Sequence, residues 1–115
     1  MRINCTLYLL DVVTSQDAAS GRRVYVLQNN SKVVGELSNV GMKTYWTAVA
    51  AQVRLDRSLV ILNRSFHGER YVYLKQDGVY EIINTANGKS PLFLRLNLKR
   101  VNDPKLKEVI TGALG

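Results

Sequence analysis

Leu92-Phe93-Leu94-Arg95-Leu96-Asn97-Leu98-Lys99 places a leucine at every second position, with Phe93, Arg95, Asn97 and Lys99 between them. Successive side chains on a strand point to opposite faces, so this stretch has one fully apolar face and one mostly polar face. It reads as a half-buried antiparallel strand. Just before it, Thr85 to Pro91 (TANGKSP) is rich in turn formers. Before that turn, Val79 to Asn84 and Glu69 to Leu74 flank Lys75-Gln76-Asp77-Gly78, where Asp-Gly is a strong hairpin signal. Arg57 to Ser65 is strand-like as well, and Phe66-His67-Gly68 after it reads as the tip of another hairpin.

The first half of the chain continues the pattern with one interruption. Ile3 to Val13 is rich in β-formers and leaves the helical period unfilled. Thr14 to Arg23 carries small polar and turn residues and is predicted to be a flexible loop. Val24 to Leu27 and Val33 to Leu37 are short strands, with Gln28-Asn29-Asn30-Ser31 as the hairpin turn between them. In Gly41 to Gln52, Tyr45, Ala48, Val49 and Gln52 fall at helical spacing after a capping Asn39, so a helical insert is predicted there. After Asn102-Asp103-Pro104, the 102–115 tail carries Leu106, Val109 and Ile110 on one side of a short helix. The sum is about six or seven strands with tight turns, which predicts a small antiparallel β-barrel or sandwich. No strand–helix–strand repeat supports a parallel sheet.

Composition bounds what such a domain can do. A chain of 115 residues with 46% hydrophobic content builds one core and is too short for two, so residues 1–115 are expected to form a single domain. The apolar end of MRINCTLYLL is too short for a signal-peptide core with its cleavage site, and no stretch approaches the roughly 20 apolar residues of a membrane span. A soluble product without membrane contact is expected. Cys5 is the only cysteine, which excludes an internal disulfide and any multi-cysteine metal site. The 16 Lys and Arg against 9 Asp and Glu give a net charge of +7, which favours polyanionic neighbours. These cations are scattered from Arg2 to Lys107 without a run of five, as on a solvated surface with a positive excess.

Catalytic patterns are weak. His67 is the only histidine, and Ser65 and Glu69 flank it, but a triad needs groups at the ends of separate elements with an oxyanion site between them. Gly88-Lys89-Ser90 mimics the end of a phosphate-binding loop, yet Ile83 stands where its first glycine belongs and Pro91 stands where a helix should begin. No cofactor, metal or catalytic residue is therefore expected, and the protein is not expected to be an enzyme. The aromatics lie between basic residues, as on a platform for single-stranded nucleic acid, but Tyr71 and Tyr73 share one strand face, as core-filling side chains do.

From Gly41 to Val101 the order of features resembles a family. An insert with Tyr45, Ala48 and Ala51 precedes the apolar strand Leu59-Val60-Ile61-Leu62. Phe66-His67-Gly68-Glu69-Arg70-Tyr71-Val72 follows, then Asp77-Gly78-Val79-Tyr80-Glu81-Ile82, then the last amphipathic strand. This is similar to the head-closure and head–tail joining (head–tail adaptor) proteins of tailed bacteriophages, in which an aromatic–x–Gly–Glu turn precedes one strand and a Gly–x–Tyr–x–Ile strand follows. The resemblance covers about half the chain, and the first forty residues match only loosely.

The resemblance implies a small β-barrel with a long early loop and a helical insert. It implies a virion structural protein, assembled in the bacterial cytoplasm into a homo-oligomeric ring in the virion neck, that connects the DNA-filled head to the tail and helps retain DNA. Its partners would be portal and adaptor proteins, tail terminator or tail proteins, and packaged double-stranded DNA in the channel. On this expectation the 14–23 loop (Thr14, Ser15, Gln16, Asp17, Ser20, Gly21, Arg22, Arg23) reaches a neighbour or the channel. Tyr45, Trp46, Ala48 and Val49 of the 41–52 insert meet an adjoining subunit. A tail terminator or tail-completion ring protein, or a monomeric OB-like nucleic-acid-binding module, are the competing expectations.

Overall fold

A computed structural model describes every residue except Met1, Asp17, Gln76, Gly88, Lys89 and Gly115; of Arg23 it describes the backbone alone. The strands are β1 (Cys5–Gln16), β2 (Arg23–Ser38), β3 (Arg57–Leu62), β4 (Tyr71–Leu74), β5 (Gly78–Asn87) and β6 (Phe93–Arg100). Helix α1 (Met42–Ala50) lies between β2 and β3, a single 3₁₀ turn (Asn63–Ser65) follows β3, and α2 (Pro104–Leu114) ends the described chain. All strand pairs are antiparallel, and the order β1-β2-β3-β6-β5-β4 returns to β1 through the pairing of Leu7–Leu10 with Leu74–Tyr71. The predicted antiparallel barrel is therefore the fold, with six strands and two α-helices among the described residues.

The leucine row sets the inner face. Leu94, Leu96 and Leu98 are buried with Leu7, Leu9, Leu59, Ile61, Val72, Leu74 and Tyr80, and these side chains fill the barrel. Leu92 lies outside β6 and is 66% exposed, so the row begins one residue pair later than the sequence indicates. Where β2 meets β3 the barrel tolerates no side chain on Gly35, because a Cβ there would come within 2.6 Å of the Val60 carbonyl oxygen. A second apolar layer lies on the outside of the sheet. Leu106 and Ile110 of α2 pack with Leu10, Tyr73, Val79 and Val101. Val109 is only half-buried. Tyr73 thus fills an outer layer rather than the barrel interior, its strand neighbours Val72 and Leu74 being the ones that face inward. Asp103 starts α2, its carboxylate accepting from the Lys105 N–H at 3.0 Å ahead of Pro104 in the first turn.

Three expectations are corrected. Gln28 to Ser31 is not a hairpin turn: β2 runs unbroken through it, and the register steps from Leu9 opposite Ser31 to Asp11 opposite Gln28. One extra residue on β2 makes a β-bulge, with Asn29 at φ 49°, a conformation asparagine tolerates better than most residues. Polar turn-forming residues suit a bulge and a hairpin equally. Secondly, Phe66-His67-Gly68 is not a hairpin tip, because β3 pairs with β2 and β6 whereas β4 pairs with β1 and β5. The segment carries the chain across one end of the barrel, and Phe66 packs onto the inner core. Its exit is held by the Arg70 N–H donating to Asp11 Oδ1 at 3.0 Å and by the Ile82 N–H donating to the Arg70 carbonyl at 2.8 Å. Thirdly, Gly41 rather than Asn39 precedes α1, without a side-chain cap.

Candidate functional site

The 14–23 segment is not one long loop: Thr14, Ser15, Gln16 and Arg23 belong to strands, and the turn is confined to the residues between them. Thr14, Ser15 and Gln16 pair with Tyr25, Val24 and Arg23, which extends β1 and β2 into a two-stranded arm. The arm leaves the barrel where β4 stops pairing with β1, at Leu10, and the molecule is 50 Å in its longest dimension. Only the tip is a turn, in which Gln16 Nε2 donates to the Gly21 carbonyl at 3.1 Å and Gly21 takes φ 69°. The Arg22 N–H lies 3.4 Å from Ser20 Oγ. Asp17 lies outside the described residues.

Cross-strand partners share a face, so the pairing sorts the arm's side chains. Val12, Leu27 and Tyr25 turn toward α2 and join the outer layer. Val13, Val24 and Val26 lie on the other face and are exposed at 38%, 42% and 43%. This face continues the row of Leu7 and Leu9 beyond the barrel, where all three valines are left exposed.

Helix α1 presents a second apolar surface. Met42, Tyr45, Trp46 and Val49 are all exposed, Trp46 at 61%, and the Tyr45 and Trp46 rings meet edge-on with centroids 5.5 Å apart. Ala48, expected on the same surface, is instead the helix's one buried residue. The helix ends in a Schellman motif: the Val53 N–H donates to the Ala48 carbonyl, the Gln52 N–H donates to the Val49 carbonyl, and Gln52 takes φ 60°.

At the barrel end opposite the Phe66 crossing, polar side chains close the interior. Arg57 and Arg100 continue the inward rows of β3 and β6 and converge on Asp77 in the β4–β5 turn, at 3.4 Å and 3.1 Å. The Tyr80 hydroxyl donates to Asp77 Oδ2 at 2.8 Å and accepts from Arg100 Nη2 at 2.8 Å. Burial works against ionisation of Asp77, but the hydrogen bonds from Tyr80 and Arg100 and the neighbouring guanidinium charges outweigh it, so its pKa falls below the usual carboxylate range. Burial and the Asp77 carboxylate push the Tyr80 phenol up to about 12. The sequence gives no local sign of this cluster, since its four members come from three separate strands and a turn.

A groove of about 810 Å³ lies at the same end, lined by Ile3, Cys5, Tyr8, Leu37 and Leu74 and by the charged Lys32, Arg57, Lys75 and Asp77. Burial raises the pKa of the Cys5 thiol, whose Sγ lies 3.5 Å from the Gly35 carbonyl.

Near His67, the buried Glu69 accepts from the His67 backbone N–H at 2.8 Å and lies 3.5 Å from Nδ1. Among the described residues no hydrogen bond joins Ser65 to His67, and the contacts shape the crossing segment rather than a nucleophile–base pair. Of the Gly88-Lys89-Ser90 stretch only Ser90 is described, its Oγ accepting from the Leu92 N–H at 3.3 Å. Among the described residues no group of three or more His, Cys, Asp or Glu is placed to hold a metal ion, and no helix is long and apolar enough to cross a membrane. Comparison of the chain with models of known protein families and with curated proteins finds no match.

Proposed function

We propose that this chain is a ring-forming structural subunit of a tailed-phage virion, placed in the neck at the portal vertex. There it connects the DNA-filled head to the tail and helps close the channel, with no catalytic step. The observation that carries the reading is a pair of separate, exposed apolar surfaces on one small barrel: the valine face of the arm (Val13, Val24, Val26) and the α1 face (Met42, Tyr45, Trp46, Val49). Two different patches on one subunit favour head-to-tail contacts between copies, and such contacts close into rings when the rotation permits. The unpaired edges of the arm add hydrogen-bonding groups that a neighbour's strand can fill. A positive excess suits a lining for packaged DNA or an acidic adaptor surface. The resemblance of Gly41 to Val101 to head-closure proteins supports a position at the portal rather than elsewhere in the virion.

Native mass spectrometry and electron microscopy of the purified protein, alone and mixed with portal–adaptor complexes of the same phage, test this. A ring seated on the portal is the expected result. A ring that forms only on the end of the tail moves the protein to tail completion. A monomer that ignores portal complexes and binds single-stranded DNA tightly and salt-sensitively overturns the reading in favour of a nucleic-acid-binding module.

A further inference from the structure

The groove at the Asp77 end is separate from the arm and from α1, and its chemistry is mixed in a specific way. Its apolar lining is Ile3, Leu37 and Leu74, the last two belonging to the ends of β2 and β4. Its charge is three cations, Lys32, Arg57 and Lys75, against Asp77 alone. Asp77 is already engaged by Arg57, Arg100 and Tyr80, so it neutralises neither lysine. Lys32 and Lys75 are exposed and form no hydrogen bond or ion pair with any described residue. The volume of about 810 Å³ falls within the range of ligand clefts.

We propose that this groove binds an acidic peptide segment of a partner protein, an apolar side chain resting on Ile3 and Leu37 and flanking carboxylates meeting Lys32 and Lys75. Charge complementarity favours an acidic partner over a second copy, because this chain carries +7 and on balance brings like charge to the site. Nucleic acid fits less well. A strand-binding surface offers free aromatic faces to bases, whereas the aromatic residue here, Tyr8, is stacked on Tyr73 with centroids 6.2 Å apart. The proposal does not depend on ring formation and holds for a monomer equally.

The test is fluorescence anisotropy with a labelled peptide of alternating glutamate and leucine, run beside its serine-for-leucine counterpart and a labelled oligothymidylate. The parent protein is compared with a Lys32→Glu/Lys75→Glu variant and with a Lys105→Glu/Lys107→Glu variant, which changes net charge equally on α2; circular dichroism checks that both stay folded. The expected result is saturable one-to-one binding of the leucine peptide, weakened at least tenfold by the groove variant and much less by the α2 variant, with the serine peptide binding more weakly. Absence of peptide binding, equal loss in both variants, or equal binding of the two peptides overturns the proposal. Tighter binding of the oligothymidylate, lost in the groove variant, overturns it in favour of a nucleic-acid site.

Discussion

The Tyr25 hydroxyl donates to Asp103 Oδ2 at 2.9 Å and ties the arm to the start of α2 across 78 positions of sequence. Because the same carboxylate accepts from the Lys105 N–H, loss of the phenol disturbs both the arm and the helix start. Tyr25→Phe should leave the barrel folded while the amides of Val24 to Leu27 exchange faster than in the parent, measured by hydrogen exchange. The Tyr25 hydrogen bond holds the Asp103 pKa below its usual value. A depressed carboxylate pKa contributes stability above the unfolded value and loses it as pH falls through the folded one. The difference between parent and variant should therefore vanish on acidification below the ordinary carboxylate range, about pH 4. Identical exchange at neutral pH would show that this bond does not secure the arm.

The Asp77 cluster gives the protein limits at both ends of the pH scale. Asp77 is depressed, so its contribution is present above about pH 4 and declines as pH falls through its folded value. Tyr80 is raised to about 12, so the contribution of its protonated phenol is complete below about pH 10 and disappears as pH rises toward 12. Thermal unfolding of the parent should weaken across that alkaline interval, and Tyr80→Phe should flatten this part of the profile. An unchanged alkaline slope in Tyr80→Phe would assign the loss to other groups.

Closure of the barrel rests on close backbone approach at Gly35 and on the leucine row. Gly35→Ala forces its Cβ against the Val60 carbonyl oxygen and should destabilise by about 1–3 kcal/mol in denaturant titrations, as overpacking does. Leu96→Ala should cost about 2–5 kcal/mol, and Leu96→Asp should abolish folding by placing a charge in the inner core. A cooperatively folded Leu96→Asp protein would contradict the inward placement of that row.

Shortening the arm by removing Ala18 to Gly21 takes away exposed residues and no core contact. The variant should melt at the parent's temperature while losing ring formation or particle completion, and Trp46→Ser should behave alike because the indole is solvent-facing. Normal particles from both variants would remove the arm tip and α1 from assembly.

What the sequence discloses here is what local spacing encodes. Alternation at Leu94, Leu96 and Leu98 places the inner face, Asp77-Gly78 marks a true hairpin, and the spacing of Tyr45, Ala48 and Val49 marks α1. The partnership of strands is not local. Phe66-His67-Gly68 has the composition of a hairpin tip, yet the chain crosses the barrel there, because the neighbours of β3 and β4 are fixed by closure of the whole sheet. The functional surfaces divide the same way. The α1 face is visible in its aromatic residues, whereas the valine face emerges only once the arm's register is known, and the ionic cluster joins residues 20 or more positions apart, apart from Tyr80 beside Asp77.

The bulge at Asn29 makes one codon decisive. Below it the inward residues of β2 are Val33, Gly35 and Leu37; beyond it, Val24 and Val26 occupy that side and Tyr25 and Leu27 the reverse. Deleting one of the two asparagines would remove the bulge and leave every distal side chain on its present face. Replacing Asn29 by a β-branched residue that resists φ 49° would instead iron the bulge out with the residue count unchanged and turn the distal part of β2 over. Tyr25 would then face away from Asp103, and the valines would lie against α2. A single substitution at the bulge is thus enough to exchange the hidden and displayed sides of the arm while the barrel keeps its own pattern, so a lineage carrying this fold could acquire a new neighbour without altering its core.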